Sequence, residues 1–256
     1  MKEKSPPFSI LRRLRLDFEY LGSNYAGWQW QDNALSIQQV AEKALAKIIG
    51  HHARINASGR TDAGVHAENQ PAHADVSTKM SDETIMRGVN SLLPPDIVVT
   101  AVTTVASTWH SRFDAVEKTY RYTILNRRTP SVFLYKRVWL IYNPLDMEAM
   151  RKAAVCLAGE HDFSSFRAAR CAAKDPVRTL QPLEIARNGD IVTFTLTASG
   201  FLKQMVRNIV GTLAEVGRGR MEPNAVAQIL AARDRTKAGP CAPPEGLTLV
   251  KVRYGE

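Results

Sequence analysis

The chain has 256 residues, 45% hydrophobic and 23% charged, which is the balance of an ordinary globular protein long enough for one large domain or two small ones. Its net charge of +9, with a pI near 9.6, points to a polyanionic partner, because lysines and arginines gain by displacing counterions from phosphates. No apolar run approaches the roughly 20 residues that span a bilayer, and the start, Met1-Lys2-Glu3-Lys4-Ser5-Pro6-Pro7, lacks a signal peptide's apolar core and reads as a loose tail over residues 1–9.

Leu14 to Tyr20 alternates apolar and charged residues, the pattern of a half-buried strand. Ser36 then caps a helix to about Gly50, with Ile37, Val40, Ala41, Ala44, Leu45 and Ile48 along one side. His52 to Ser58 reads as a short strand, and His73 to Ser77 as another. Ser81-Asp82-Glu83 starts a second helix with acids in its first turn, as the helix dipole prefers. Pro94-Pro95 ends it, and Ile97 to Val105 is extended. The second half repeats this order loosely. Thr119 to Leu125 and Arg137 to Tyr142 are strands, and Pro144 opens a helix through Leu157. Leu183 to Ala186 and Ile191 to Ala198 form a hairpin around Asn188-Gly189-Asp190. Helices over Phe201 to Gly217 and Pro223 to Ala232 precede a last strand, Leu247 to Tyr254. Two such halves predict an α+β fold with a largely antiparallel sheet, dividing near Val105 to Ser111 into an N-terminal half (10–107) and a C-terminal half (108–256).

Cys156, Cys171 and Cys241 have neither metal-ligand spacing nor a disulfide pattern, which suits a reducing, cytoplasmic compartment. The six histidines form no HExxH or similar set, so no metal is expected. No phosphate-binding glycine loop is present, so neither ATP nor NAD is expected, and no cofactor is called for.

The segment Ala57-Ser58-Gly59-Arg60-Thr61-Asp62-Ala63-Gly64-Val65-His66-Ala67 sets one carboxylate between an arginine and a histidine, among small residues that let a bulky ligand reach the backbone. The same residues can also be read as a glycine-bounded turn in which Asp62 caps its own backbone. Arg60-Thr61-Asp62-Ala63-Gly64-Val65-His66 resembles the signature of the tRNA pseudouridine synthase A family. Five further blocks resemble that family in the same order: Tyr20 to Gln29; His110-Ser111-Arg112-Phe113-Asp114-Ala115 with Lys118 to Tyr122; Gly159 to Arg167; Gly200 to Gly211; and Thr236 to Leu247. Small departures occur at Ser111, Cys241 and Thr248, the last leaving the wall near Leu247 open to question.

The resemblance implies two ferredoxin-like halves whose sheets join, helices on one face, and a central active-site cleft. It implies isomerisation of uridine to pseudouridine in the anticodon stem-loop of tRNA, at positions 38, 39 and 40, by a cytoplasmic homodimer. Asp62 takes the family's catalytic position beside C1′, either as nucleophile or by taking a sugar proton. Arg207 would hold that carboxylate charged; helical spacing places Lys203, Arg207 and Gly211 opposite an apolar face of Phe201, Leu202, Met205, Val206, Ile209, Val210 and Leu213. Tyr120 matches the active-site tyrosine, as stacking platform or base, although a phenol with pKa about 10 is a poor base at neutral pH. Arg60, His66, His110, Arg112 and Arg167 are candidates for gripping the RNA or the flipped nucleotide, and Leu247 for the pocket wall. Trp28, Trp30 and Tyr122 read as packing. Two other readings fit parts of the chain: a non-catalytic RNA-binding protein, and a glycosidic hydrolase using Glu68 or Asp75 as a second carboxylate.

Overall fold

A computed structural model describes residues 11–169 and 171–255; the tail expected over 1–9 lies outside the described residues. The chain gathers into two compact units, one of residues up to Ala115 together with those from Tyr254, the other of Val116–Arg253.

In the first unit β1 (Leu11–Tyr20) leads through α1 (Ile37–Ile49) to β2 (Asn56–Ala57) and β3 (His66–Ser77), then through α2 (Asp82–Leu92) to β4 (Ile97–Val105). β1 lies between β3 and β4, and β2 pairs the far side of β3, all antiparallel. This βαββαβ path with order β4-β1-β3-β2 is the ferredoxin-like arrangement. Its core follows from alternation: Leu14, Leu16 and Phe18 on β1 join Ala72, Ala74 and Val76 on β3, under Ile37, Ala41 and Leu45 of α1 and Ile85 and Val89 of α2, all buried. The Ser36 hydroxyl caps α1 at Gln39 N–H, and Gly50, at φ 79°, ends it. Glu42, buried on α1, accepts from Ile55 N–H and the Gln38 amide at 2.9 Å and pairs with His52 and Arg54, so it fixes the chain entering β2. Claiming Ile55 N–H for a side chain is one reason the strand expected from His52 shrinks to two residues.

The second unit runs β5 (Ala115–Asn126), β6 (Trp139–Ile141), α3 (Met147–Ala154), β7 (Gly159–Asp162), β8 (Val177–Leu180), β9 (Glu184–Asn188), β10 (Ile191–Ala198), α4 (Met205–Gly217), α5 (Ala225–Ala232) and β11 (Leu247–Tyr254). Its sheet has the order β11-β5-β10-β8-β7, with β6 parallel to β5 and β9 antiparallel to β10. This is the first unit's pattern with short strands added. Tyr122 and Ile124 of β5, and Val192, Phe194 and Leu196 of β10, are fully buried, as are Met150 of α3 and Met205, Ile209, Val210 and Leu213 of α4.

Several expected boundaries move. The helix expected from Pro144 starts at Met147, because Asp146 accepts from Ala149 N–H at 2.9 Å and supplies the better cap. The helix expected from Phe201 starts at Met205, because Gln204 takes a left-handed conformation at φ 60°. The expected hairpin forms with Gly189-Asp190 as its two-residue turn, Gly189 at φ 57°.

Candidate active site

Asp62 lies in the loop between β2 and β3, half-buried. Ser58 anchors the loop's entrance through its N–H to Pro71 O at 2.8 Å and its hydroxyl to the Gln70 side chain at 2.8 Å, while the Gln70 amide donates to Gly59 O at 2.5 Å. Next to the carboxylate, Thr61 O accepts from Trp28 N–H at 3.1 Å and the Thr61 hydroxyl meets Tyr20 Oη at 2.8 Å. Asp62 O then accepts from Val65 N–H at 3.1 Å, closing a turn whose third residue, Gly64, has the positive φ of 80° that a type II turn demands. The turn rests directly on residues 22–27. A Cβ on Gly22 would stand 2.0 Å from Val65 O, and one on Gly27 would stand 2.5 Å from Thr61 O. The loop backbone is therefore bonded and packed on both sides of Asp62.

Arg60 is exposed on this loop. His66 is not: it is 4% exposed at the start of β3, and its Nδ1 accepts from Gly22 N–H at 3.0 Å, which ties the loop's exit to the same residue that packs against Val65. The turn holding His110 and Arg112 belongs to this unit too. Ser111, buried, donates from Oγ to Asn56 O at 2.7 Å, and His73 Nδ1 lies 2.9 Å from that Oγ and 3.2 Å from Ser111 N. Ser111 thus joins the turn to β2, which enters the Asp62 loop, and His73 joins it to β3, which leaves the loop. Burial, helped by His110 and then Arg13, pushes the His73 pKa down to about 4, so the ring is neutral at pH 7. Arg112 is exposed. Asp75, a possible second carboxylate for glycosidic hydrolysis, is held by Arg13 at 2.7 and 2.8 Å, a fork that lowers its pKa.

In the second unit, Arg207 lies in the first turn of α4, and Tyr120 and the stretch after Arg167 contact the residues that lead into it. Tyr120, half-buried on β5, meets Phe201 edge-on with centroids 5.1 Å apart. Ala168 N–H donates to Lys203 O at 2.9 Å, bringing the stretch after Arg167 against the residues entering α4. Arg207 Nε donates to Ala242 O at 2.7 Å, and Ala242 N–H returns a bond to Arg207 O at 3.1 Å. Leu247, 6% exposed, opens β11 one residue after Gly246, where a Cβ would stand 2.5 Å from the Tyr122 ring. Tyr122 is core, as read, with its hydroxyl donating to Pro243 O at 2.7 Å; burial raises its pKa far above a free phenol's.

The polar face expected for α4 does not exist as drawn. Lys203 precedes the helix, and a Cβ on Gly211 would stand 1.8 Å from Pro240 O, so residues 239–242 cover that side. Asn208, buried, donates to Phe166 O at 2.7 Å and accepts from Arg235 at 3.0 Å, while Thr212 Oγ1 accepts from Gly239 N–H at 2.9 Å. Asn208 and Thr212 escaped the sequence reading, as did Gln70 and Ser58. Their only signal was a polar residue at a position that periodicity assigns to the core. Among the described residues, no group of three His, Cys, Asp or Glu side chains is placed to hold a metal ion, and no helix is long and apolar enough to cross a membrane.

The model of a family described as tRNA pseudouridine synthase matches residues 18–114 and 153–255. The chain is 46% identical to tRNA pseudouridine synthase A of Myxococcus xanthus, over 94% of this chain and 92% of that protein. With the protein of the same name from Geobacter sulfurreducens it shares 47% identity, over 95% of this chain and 100% of the relative. With that of Rhodospirillum rubrum it shares 46%, over 94% and 87%. Matches of this extent, on a chain that also builds the six-block pattern into two compact units, show that it belongs to the tRNA pseudouridine synthase family.

Proposed function

We propose that this protein isomerises uridine to pseudouridine in the anticodon stem-loop of tRNA, at positions 38, 39 and 40, with Asp62 as nucleophile at C1′. The C1′–N1 bond breaks, the base turns, and C1′ joins C5. The C5 proton leaves to solvent and N1 takes one up, so no electrons or groups enter and no cofactor is required. The observation that carries the reading is the Asp62 loop, whose backbone is held on both sides of a half-buried carboxylate, in a chain of this family.

Tyr120 and Arg207 complete the catalytic set: Tyr120 offers an aromatic surface to the base, and Arg207 a positive charge fixed by Ala242. Arg60 and Arg112, both exposed, suit phosphates, and Arg167 and His110 extend the grip. His66 and Leu247 act from inside the fold, on the loop backbone and the pocket wall. The domain division into 10–107 and 108–256, a homodimer and a cytoplasmic location belong to the same reading, the last in keeping with the wide spacing of the three cysteines.

Mapping pseudouridine by sequencing in tRNA treated with the purified protein tests the position claim. New pseudouridine confined to 38–40 is expected, while modification elsewhere with none at these positions would overturn it.

A further inference from the structure

Phe113 is 74% exposed, yet the turn that carries it is among the most tightly fastened in the first unit. His110 Nδ1 accepts from both Arg112 N–H, at 3.1 Å, and Phe113 N–H, at 3.3 Å, which places the ring proton on Nε2. Asp114 closes the turn from the other end: its carboxylate accepts from His110 N–H at 2.8 Å, and its N–H donates to His110 O at 3.1 Å. Beneath it, Ser111 and His73 bolt the turn to β2 and β3. The His110 ring backs Phe113 in a tilted stack with centroids 4.3 Å apart, and itself lies 4.5 Å from His73. An exposed phenylalanine ordinarily costs solubility and contributes little; here several polar contacts fix its position while the ring faces water. Beside it the exposed Arg112 guanidinium sits 5.7 Å from the ring centroid. A fixed aromatic face flanked by an exposed positive charge suits an unpaired base and its phosphate better than an apolar protein surface, which would leave Arg112 to be desolvated.

Resting on the tRNA reading above, we propose that Phe113 is a stacking platform for an unpaired base of the RNA substrate outside the reacting nucleotide, with Arg112 taking the adjacent phosphate. The test uses the full-length protein and an anticodon stem-loop RNA carrying 2-aminopurine at successive loop positions. Phe113→Ala is expected to weaken RNA binding about 10-fold and to abolish fluorescence quenching at one loop position, with Phe113→Trp restoring both. Phe113→Leu, apolar but not aromatic, should resemble the alanine variant. Arg112→Ala should lower the salt slope of binding by about 1, whereas Phe113→Ala leaves that slope unchanged. Undiminished binding and quenching in Phe113→Ala, or leucine serving as well as phenylalanine, would overturn the proposal. So would a change in oligomeric state in Phe113→Ala without loss of RNA affinity, which would make the ring a protein contact. Pseudouridine formation by the native protein in the same preparations separates the two ideas: activity there with an indifferent Phe113 sinks only the platform.

Discussion

His73 is a histidine the fold keeps neutral, and that choice links its titration to stability. Its pKa in the fold is about 4 against an ordinary 6.5, chiefly because it is buried, 3% exposed, with His110 and Arg13 nearby. Between these two values the unfolded chain binds a proton that the folded chain refuses. The associated stability is therefore complete above about pH 6.5 and is lost as pH falls towards 4, by at most on the order of 3 kcal/mol. The urea midpoint is expected to drop between pH 7 and pH 5. His73→Asn, whose amide can still bond near Ser111, should flatten that drop; an unchanged slope would show that the neutral ring is not its source.

At the scale of elements, the Asp62 loop takes its shape from the segment beneath it. Gly27, at φ 90°, has no room for a Cβ against Thr61 O, whereas Gly50, at φ 79°, faces open space. Gly50→Ala is expected to cost about 1 kcal/mol, the strain of the left-handed backbone alone. Gly27→Ala adds a clash to that strain, for roughly 2–4 kcal/mol in thermal or urea unfolding, and should depress activity beyond the loss of folded protein. Equal costs for the two variants would show that the loop does not lean on residue 27. The tyrosine and glycines around it were visible in the sequence only as a block that resembled the family. Strand and helix patterning read well where burial was apolar, as in Leu14 to Tyr20 and Ile191 to Ala198. It failed where polar side chains are buried with partners. β3 begins at His66, seven residues earlier than alternation showed, because Gln70 and His73 lie inside among hydrogen bonds and Pro71 interrupts the pattern. α4 misled in the opposite way: it is buried nearly all round, so the side expected to be polar is covered by residues 239–242, with Gly211 allowing the close approach that its missing side chain suggested.

For the whole molecule, the charge of +9 says that a polyanion is welcome but not which one, and its arginines are distributed over both units. Doubling of a βαββαβ path was legible as a loose repetition of helix and strand, whereas strand order was not, because β1-to-β3 pairing depends on contacts far apart in sequence. The proposed chemistry turns on a single carboxylate, singled out by its motif and carried on a braced loop. The most direct test of its role is tritium release from tRNA carrying 5-tritiated uridine, with the native protein, Asp62→Ala and Asp62→Asn assayed together. Release by the native protein and none above background by either variant is the expected result, because the C5 hydrogen leaves when that carbon becomes the new glycosidic attachment. Release by Asp62→Ala at the native rate would contradict the assignment of Asp62, and tight tRNA binding with no release from any of the three would leave an RNA-binding protein without the proposed reaction.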